Sequence, residues 1–143
     1  MREVRSGVWH WEARHPEWNE RQWWGPLVSS YAIDDGARDG TVFREGDRLP
    51  VGVEAFPGME PNDLVLWVES HRALVAGDTL QDRGNGLQFL GDSTNNVPGD
   101  VDVEQILGSM QPLLALPVEI VLPTHGTPTD RTALERALAM SPS

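Results

Sequence analysis

Short apolar runs separated by turn-forming residues recur along the first half of the chain, and they predict strands rather than helices. Residues 4–11 alternate between apolar and polar positions, with Val8 and His10 on the same face of a predicted strand. Residues 27–33 form a second apolar run beyond a tryptophan-rich loop. We therefore expect the two runs to pair as a hairpin.

The middle of the chain predicts three more strands. One lies at residues 51–56, and two form a hairpin at residues 64–69 and 73–76, because two apolar runs flank a short polar connection. Residues 81–100 are rich in glycine, amides and other polar side chains. They predict one long loop, which we expect to act as a lid.

Helical spacing of apolar residues begins only after this loop. Asp102, followed three residues later by Gln105, is typical of a helix N-terminus, and the predicted helix ends near residues 112–116. A buried strand is expected at residues 118–122, and a final helix begins after an N-cap at Thr129 or Asp130. The length of 143 residues predicts one domain covering residues 1–143.

The charge and residue composition of the chain exclude several classes of function. The chain has 11 basic and 22 acidic residues, a net charge of −11, which repels nucleic acid and anionic membrane surfaces. It contains no cysteine, which excludes disulfides and thiolate chemistry. We find no apolar leader segment and no run of about 20 apolar residues, so we expect a cytoplasmic protein with no membrane partner.

Two predicted strands are followed by side chains of types that can bind metal ions. Asp78 follows the predicted strand at 73–76 in the segment Leu-Val-Ala-Gly-Asp-Thr-Leu, and His125 follows the strand at 118–122 in Val-Leu-Pro-Thr-His-Gly. Alone, each has a simpler interpretation, Asp78 as a turn cap and His125 as a loop histidine bonded to backbone. Hairpin geometry places Glu60 and Asp63 beside Asp78, and Asp82 follows closely, so these three are weaker candidates for an oxygen-rich site.

In order and spacing, the two segments resemble the second half of the metallo-β-lactamase superfamily, although His-x-His-x-Asp-His is absent. The resemblance implies an α+β fold, an abbreviated αββα sandwich, with an internal deletion near residues 34–46. It implies that Asp78 and His125 open at one edge of the sandwich and share one divalent metal ion, zinc, iron or manganese, if any metal is bound. The family's Pro-Gly-His motif aligns with Pro57-Gly58-Met59, and Met59 is a poor ligand for these ions.

Two functions follow from the resemblance. A catalytic zinc normally has three protein ligands, and the sequence offers only two firm candidates, so we expect a degenerate binding or oligomerisation module, a homodimer that takes a small-molecule ligand. The alternative is a metal-dependent hydrolase with an atypical mononuclear site. The Gly-Asp-x-x-x-Asp pattern ending at Asp82 also resembles haloacid-dehalogenase-like phosphatases, but the nucleophile motif of that family is missing.

Overall fold

A three-stranded antiparallel sheet forms the N-terminal part of the computed structural model, which describes residues 1–21, 26–34, 52–58, 63–89 and 102–139. Its strands, in the order β1-β2-β3, are β1 (Arg2–Arg5), β2 (Val8–Arg14) and β3 (Leu27–Ile33). The predicted pairing of the two long strands is confirmed. The expectation of one strand over residues 4–11 is wrong, because Gly7 has a φ of 77° and turns the chain between β1 and β2.

A four-stranded mixed sheet follows, in the order β4-β5-β6-β9. The strands are β4 (Val53–Pro57), β5 (Leu64–Val68), β6 (Ala73–Val75) and β9 (Ile120–Leu122). Among neighbouring strands in the described part of this sheet, β6 and β9 alone pair in parallel, and the predicted hairpin of β5 and β6 is confirmed. Each of these strands begins or ends within two residues of its expected bounds.

The prediction of one long loop over residues 81–100 is wrong for the first part of that range. A small hairpin of β7 (Leu80–Asp82) and β8 (Leu87–Phe89) occupies this region. Leu80 and Leu87 are buried, so the apolar residues within a polar stretch decide the local structure. Residues 90–101, on which the lid prediction also depends, lie outside the described residues, as does the predicted deletion near residues 34–46 apart from Asp34.

Two helices complete the described part of the chain, α1 (Val103–Met110) and α2 (Arg131–Ala139). The Asp102 side chain accepts a hydrogen bond from the Gln105 backbone at 3.0 Å, which confirms the predicted N-cap. Asp130, rather than Thr129, caps α2 through the backbone of Ala133 at 3.0 Å. Within the described ranges, no helix combines the length and apolarity needed to cross a membrane.

Strands β5, β6 and β9 of the second sheet contribute buried residues to cores on both faces, which explains their nearly continuous apolar runs. Alternate residues of β6 and β9 point to opposite sides. Leu74 and Val121 face a large core shared with α1, α2 and the β7–β8 hairpin, whereas Ala73 and Leu122 face a smaller core against the first sheet. The described layers are therefore sheet, sheet and helices, and the loops after β6 and β9 emerge between them.

Candidate metal centre

The parallel pairing of β6 with β9 brings Asp78 and His125 together. Val75 and Leu122 are direct partners in the ladder, and each candidate ligand lies three residues beyond its strand's partner. Because the carboxyl ends of parallel strands meet at the same edge of a sheet, the two loops begin side by side. The His125 Nε2 atom lies 3.6 Å from the Asp78 Oδ1 atom.

This separation matches two ligands of one cation better than it matches a hydrogen bond. Hydrogen bonds between nitrogen and oxygen fall at about 2.7 to 3.2 Å, so 3.6 Å is too long. Two ligands at about 2.0 to 2.1 Å from a zinc ion are about 3.3 to 3.4 Å apart at a tetrahedral angle, and slightly farther at wider angles. A single ion therefore fits between the two atoms without a large movement of either side chain.

Burial favours the neutral form of the His125 imidazole. Burial lowers the pKa of His125 below 6.5, and this effect outweighs the neighbouring Asp78 charge and a hydrogen bond to the Leu27 backbone, both of which raise it. Partial desolvation, assisted by the negative charge of Asp63, raises the pKa of the half-exposed Asp78 carboxyl, while His125 and Arg83 lower it. A neutral imidazole is the form that binds a metal ion.

Asp63 lies next to Asp78, as hairpin geometry predicts, but its oxygens already have partners. One carboxylate oxygen accepts a hydrogen bond from the Asp78 backbone at 2.9 Å, and the other accepts from the Thr79 hydroxyl. Gly77, with a φ of 42°, allows this contact, since a Cβ atom there would lie 2.1 Å from the Asp63 Oδ1 atom. Asp63 therefore holds the turn that presents Asp78.

Asp82, like Asp63, accepts hydrogen bonds that hold a turn. Its Oδ1 atom accepts hydrogen bonds from the backbones of Gly84 and Gly86, at 2.8 and 3.0 Å, and so closes the turn between β7 and β8. Its own backbone N–H donates to the His125 carbonyl at 2.8 Å. The aspartate thus fixes the His125 loop from one side. Glu60, the remaining weaker candidate, lies outside the described residues.

Comparison with known proteins identifies the family. A model of the metallo-beta-lactamase superfamily matches residues 5–125. The chain belongs to this superfamily. None of the curated proteins matches the sequence.

The solved structure of TMB-1 agrees with this metallo-β-lactamase assignment at the level of the fold. TMB-1 is 16% identical and has a TM-score of 0.57, over 96% of this chain and 94% of TMB-1. The DIM-1 metallo-beta-lactamase is 23% identical over 62% of this chain, with a TM-score of 0.46, and the match spans 40% of the length of DIM-1. The likeness to TMB-1 confirms the expected α+β metallo-β-lactamase fold.

In the described part of this metallo-β-lactamase relative, Asp78 and His125 form the candidate pair for a cation. Among the described residues, no group of three or more histidine, aspartate or glutamate side chains is close enough to hold a metal ion. Asp78 and His125 supply one oxygen and one nitrogen, a donor set suited to zinc, iron or manganese. Their role as ligands stays a prediction.

The other histidines take different positions. His10 is buried, hydrogen-bonded to Ser29 and stacked on Tyr31. His71 lies in the turn between β5 and β6, at the far end of this hairpin from Asp78. His15 is near enough to the site for its charge to lower the pKa of His125.

Sequence reasoning did not identify Ser29 and Tyr31, which bind the His125 loop. Ser29 and Tyr31 lie on the inward face of β3, and Ser29 is 7% exposed. A polar residue at an inward position of a strand is the one available signal, because buried polar groups require partners. The partner itself is 97 positions away along the chain, so spacing does not reveal it.

Proposed function

We propose that this metallo-β-lactamase-fold protein binds one divalent cation between Asp78 and His125 and acts as a binding module rather than as a dinuclear hydrolase. The observation that supports this most is the distance of 3.6 Å between the His125 Nε2 and Asp78 Oδ1 atoms. It is too long for a hydrogen bond and suits two ligands of a single ion.

The number of ligands argues against the usual catalysis of the family. A catalytic zinc normally has three protein ligands and one water molecule, and the described residues supply two. When bound, such an ion would polarise a ligand oxygen or lower the pKa of a bound water molecule. With only two protein ligands we expect weak, exchangeable cation binding.

Two exposed leucines support binding of an organic ligand at this site. Leu27 and Leu64 are 49% and 44% exposed, which is unusual for large apolar side chains in the described part of the chain. The Leu27 backbone is hydrogen-bonded to the His125 ring, and Leu64 directly follows the aspartate that holds the Asp78 turn. We propose that the leucines contact the apolar part of a small molecule whose polar end meets the cation.

A mononuclear hydrolase is the second candidate. The Asp78 side chain is 52% exposed, so an ion held there would keep positions open to water. An open position is what a hydrolytic metal site requires. This function predicts turnover of simple esters or phosphodiesters that depends on added metal, whereas the binding module predicts cation binding without turnover.

Cation binding is tested by elemental analysis of the purified protein and by calorimetric titration of the metal-free protein with zinc and manganese. We expect binding of one ion per chain. Asp78→Ala and His125→Ala should each abolish it, because one remaining ligand does not hold the ion. Asp102→Ala and His71→Ala are matched controls, since they remove the same side chains at positions away from the site.

Absence of binding by the unaltered protein would refute the cation site. Equal affinity in Asp78→Ala and Asp102→Ala would refute the assignment of the ligand. A panel of ester and phosphodiester substrates, measured with and without metal, separates the two functions. Metal-dependent turnover that is lost in His125→Ala would establish the hydrolase.

A further inference from the structure

The backbone of the His125 loop, residues 123–126, is bound at each of its four carbonyl oxygens. The Tyr31 hydroxyl donates to the first at 2.9 Å, and the Ser29 backbone N–H donates to the second at 2.7 Å. The Asp82 backbone N–H donates to the third at 2.8 Å, and the Ser29 hydroxyl donates to the fourth at 2.6 Å. Three of these four bonds come from β3.

The β3 contacts are themselves supported by β2. The Ser29 hydroxyl gives its only hydrogen to Gly126, so it accepts from His10 Nε2 at 3.0 Å. The His10 ring stacks on Tyr31 with centroids 5.0 Å apart. Burial raises the pKa of Tyr31 to about 12, so its hydroxyl stays protonated and remains a donor. His10 and Ser29 are each 7% exposed, which leaves little access for water to replace a lost bond.

The same strand also touches the imidazole directly. The His125 ring is hydrogen-bonded to the backbone of Leu27, two residues before Ser29 in β3. One strand of the first sheet thus fixes both the loop backbone and the ring that faces Asp78. Ligand affinity at a metal site depends on such partners, whose loss typically weakens binding by about 10 to 100-fold.

We propose that Ser29 and Tyr31, supported by His10, are positioning residues that set the orientation of His125 relative to Asp78. The inference deepens the proposed cation site and rests on it for its effect on affinity. Neither side chain is a ligand. Each acts through the loop carbonyls, so its removal shifts the ring without removing a metal-binding atom.

Zinc titration of the variants Ser29→Ala and Tyr31→Phe tests the effect on affinity. We expect both to bind zinc about 10-fold more weakly than the unaltered protein. Ser30→Ala removes the neighbouring hydroxyl from the opposite face of the same strand and should leave the affinity unchanged. Ser29→Thr keeps the hydroxyl and should restore affinity. Tyr31→Phe keeps the ring that stacks on His10, so it remains informative if Ser29→Ala fails to fold.

A measurement on the metal-free protein keeps this inference separate from the cation site. NMR of isotope-labelled histidine reports the imidazole nitrogen shifts of His125 and its contacts with Leu27. We expect the nitrogen shifts and the Leu27 contacts to change in Ser29→Ala and Tyr31→Phe. In Ser30→Ala, both should be the same as in the unaltered protein. If the unaltered protein binds no zinc but the signals change, the cation site is refuted and the positioning role stands. If the His125 signals are unchanged in both variants, the positioning role is refuted.

Discussion

Replacement of Asp63 by alanine should strongly destabilise the fold. The change removes the acceptor for the Asp78 backbone and the acceptor for the Thr79 hydroxyl, and Thr79 is fully buried. A hydrogen bond to a charged group contributes about 1.5 to 3 kcal/mol, so two contribute about 3 to 6 kcal/mol. We expect a loss near the lower end, about 3 to 4 kcal/mol, because water can reach the exposed Asp78.

Urea unfolding monitored by tryptophan fluorescence measures this loss, since Trp67 lies in the large core. Asp63→Asn should cost only about 1 kcal/mol, because the amide can still accept from Asp78 and donate to the Thr79 oxygen. Asp102→Ala is the matched control, an exposed N-cap whose loss costs about 1 kcal/mol. If Asp63→Ala costs no more than Asp102→Ala, the assigned role of Asp63 is wrong.

Three further predictions follow. Gly77→Ala should destabilise the protein and weaken cation binding, because the added Cβ atom would collide with Asp63. The control Gly108→Ala in α1 places its Cβ atom where no atom lies within 4 Å, so it should stabilise the protein by about 0.5 to 1 kcal/mol. Comparable urea midpoints for the two variants would contradict this. Burial lowers the pKa of His10 below its ordinary value of 6.5. At a pH between the lowered pKa and 6.5, His10 therefore binds a proton in the unfolded chain but not in the folded chain. The melting temperature should therefore fall as the pH drops below 6.5, and His10→Gln should reduce this fall; an identical pH profile in the variant would exclude His10 as a cause. The proposed homodimer predicts a sedimentation mass of twice 15.8 kDa that becomes more populated as salt screens the charge of −11; a monomer at all salt concentrations would rule it out.

Local pattern was sufficient for most elements of the fold. The run at residues 27–33 coincides with β3, and Asp102 begins α1, because strand alternation and N-capping depend on residues close in sequence. The β7–β8 hairpin was missed because its two short strands lie in a stretch rich in glycine and polar residues, a composition that predicts a loop. Its stability comes from the burial of Leu80 and Leu87 against the large core, a tertiary effect that composition does not reveal.

The residues of the candidate site also fall into those that the sequence could predict and those that it could not. Asp78 and His125 could be identified because each follows an apolar strand within a family motif. The competing use of Asp63 and Asp82 as backbone acceptors could not be predicted, since a carboxylate that binds a cation and one that holds a turn look alike in sequence. Ser29 and Tyr31 depend on how the first sheet packs against the second, which no local pattern specifies.

The equal offset of Asp78 and His125 from a paired position in β6 and β9 bears on how such a protein can evolve. The register of these strands is fixed by buried residues on both faces, so it does not depend on any other ligand being present. A lineage that lost other donors would therefore still keep these two candidate ligands 3.6 Å apart. One substitution on an adjacent loop is then a shorter route to a complete centre than assembling a new one from an unrelated surface.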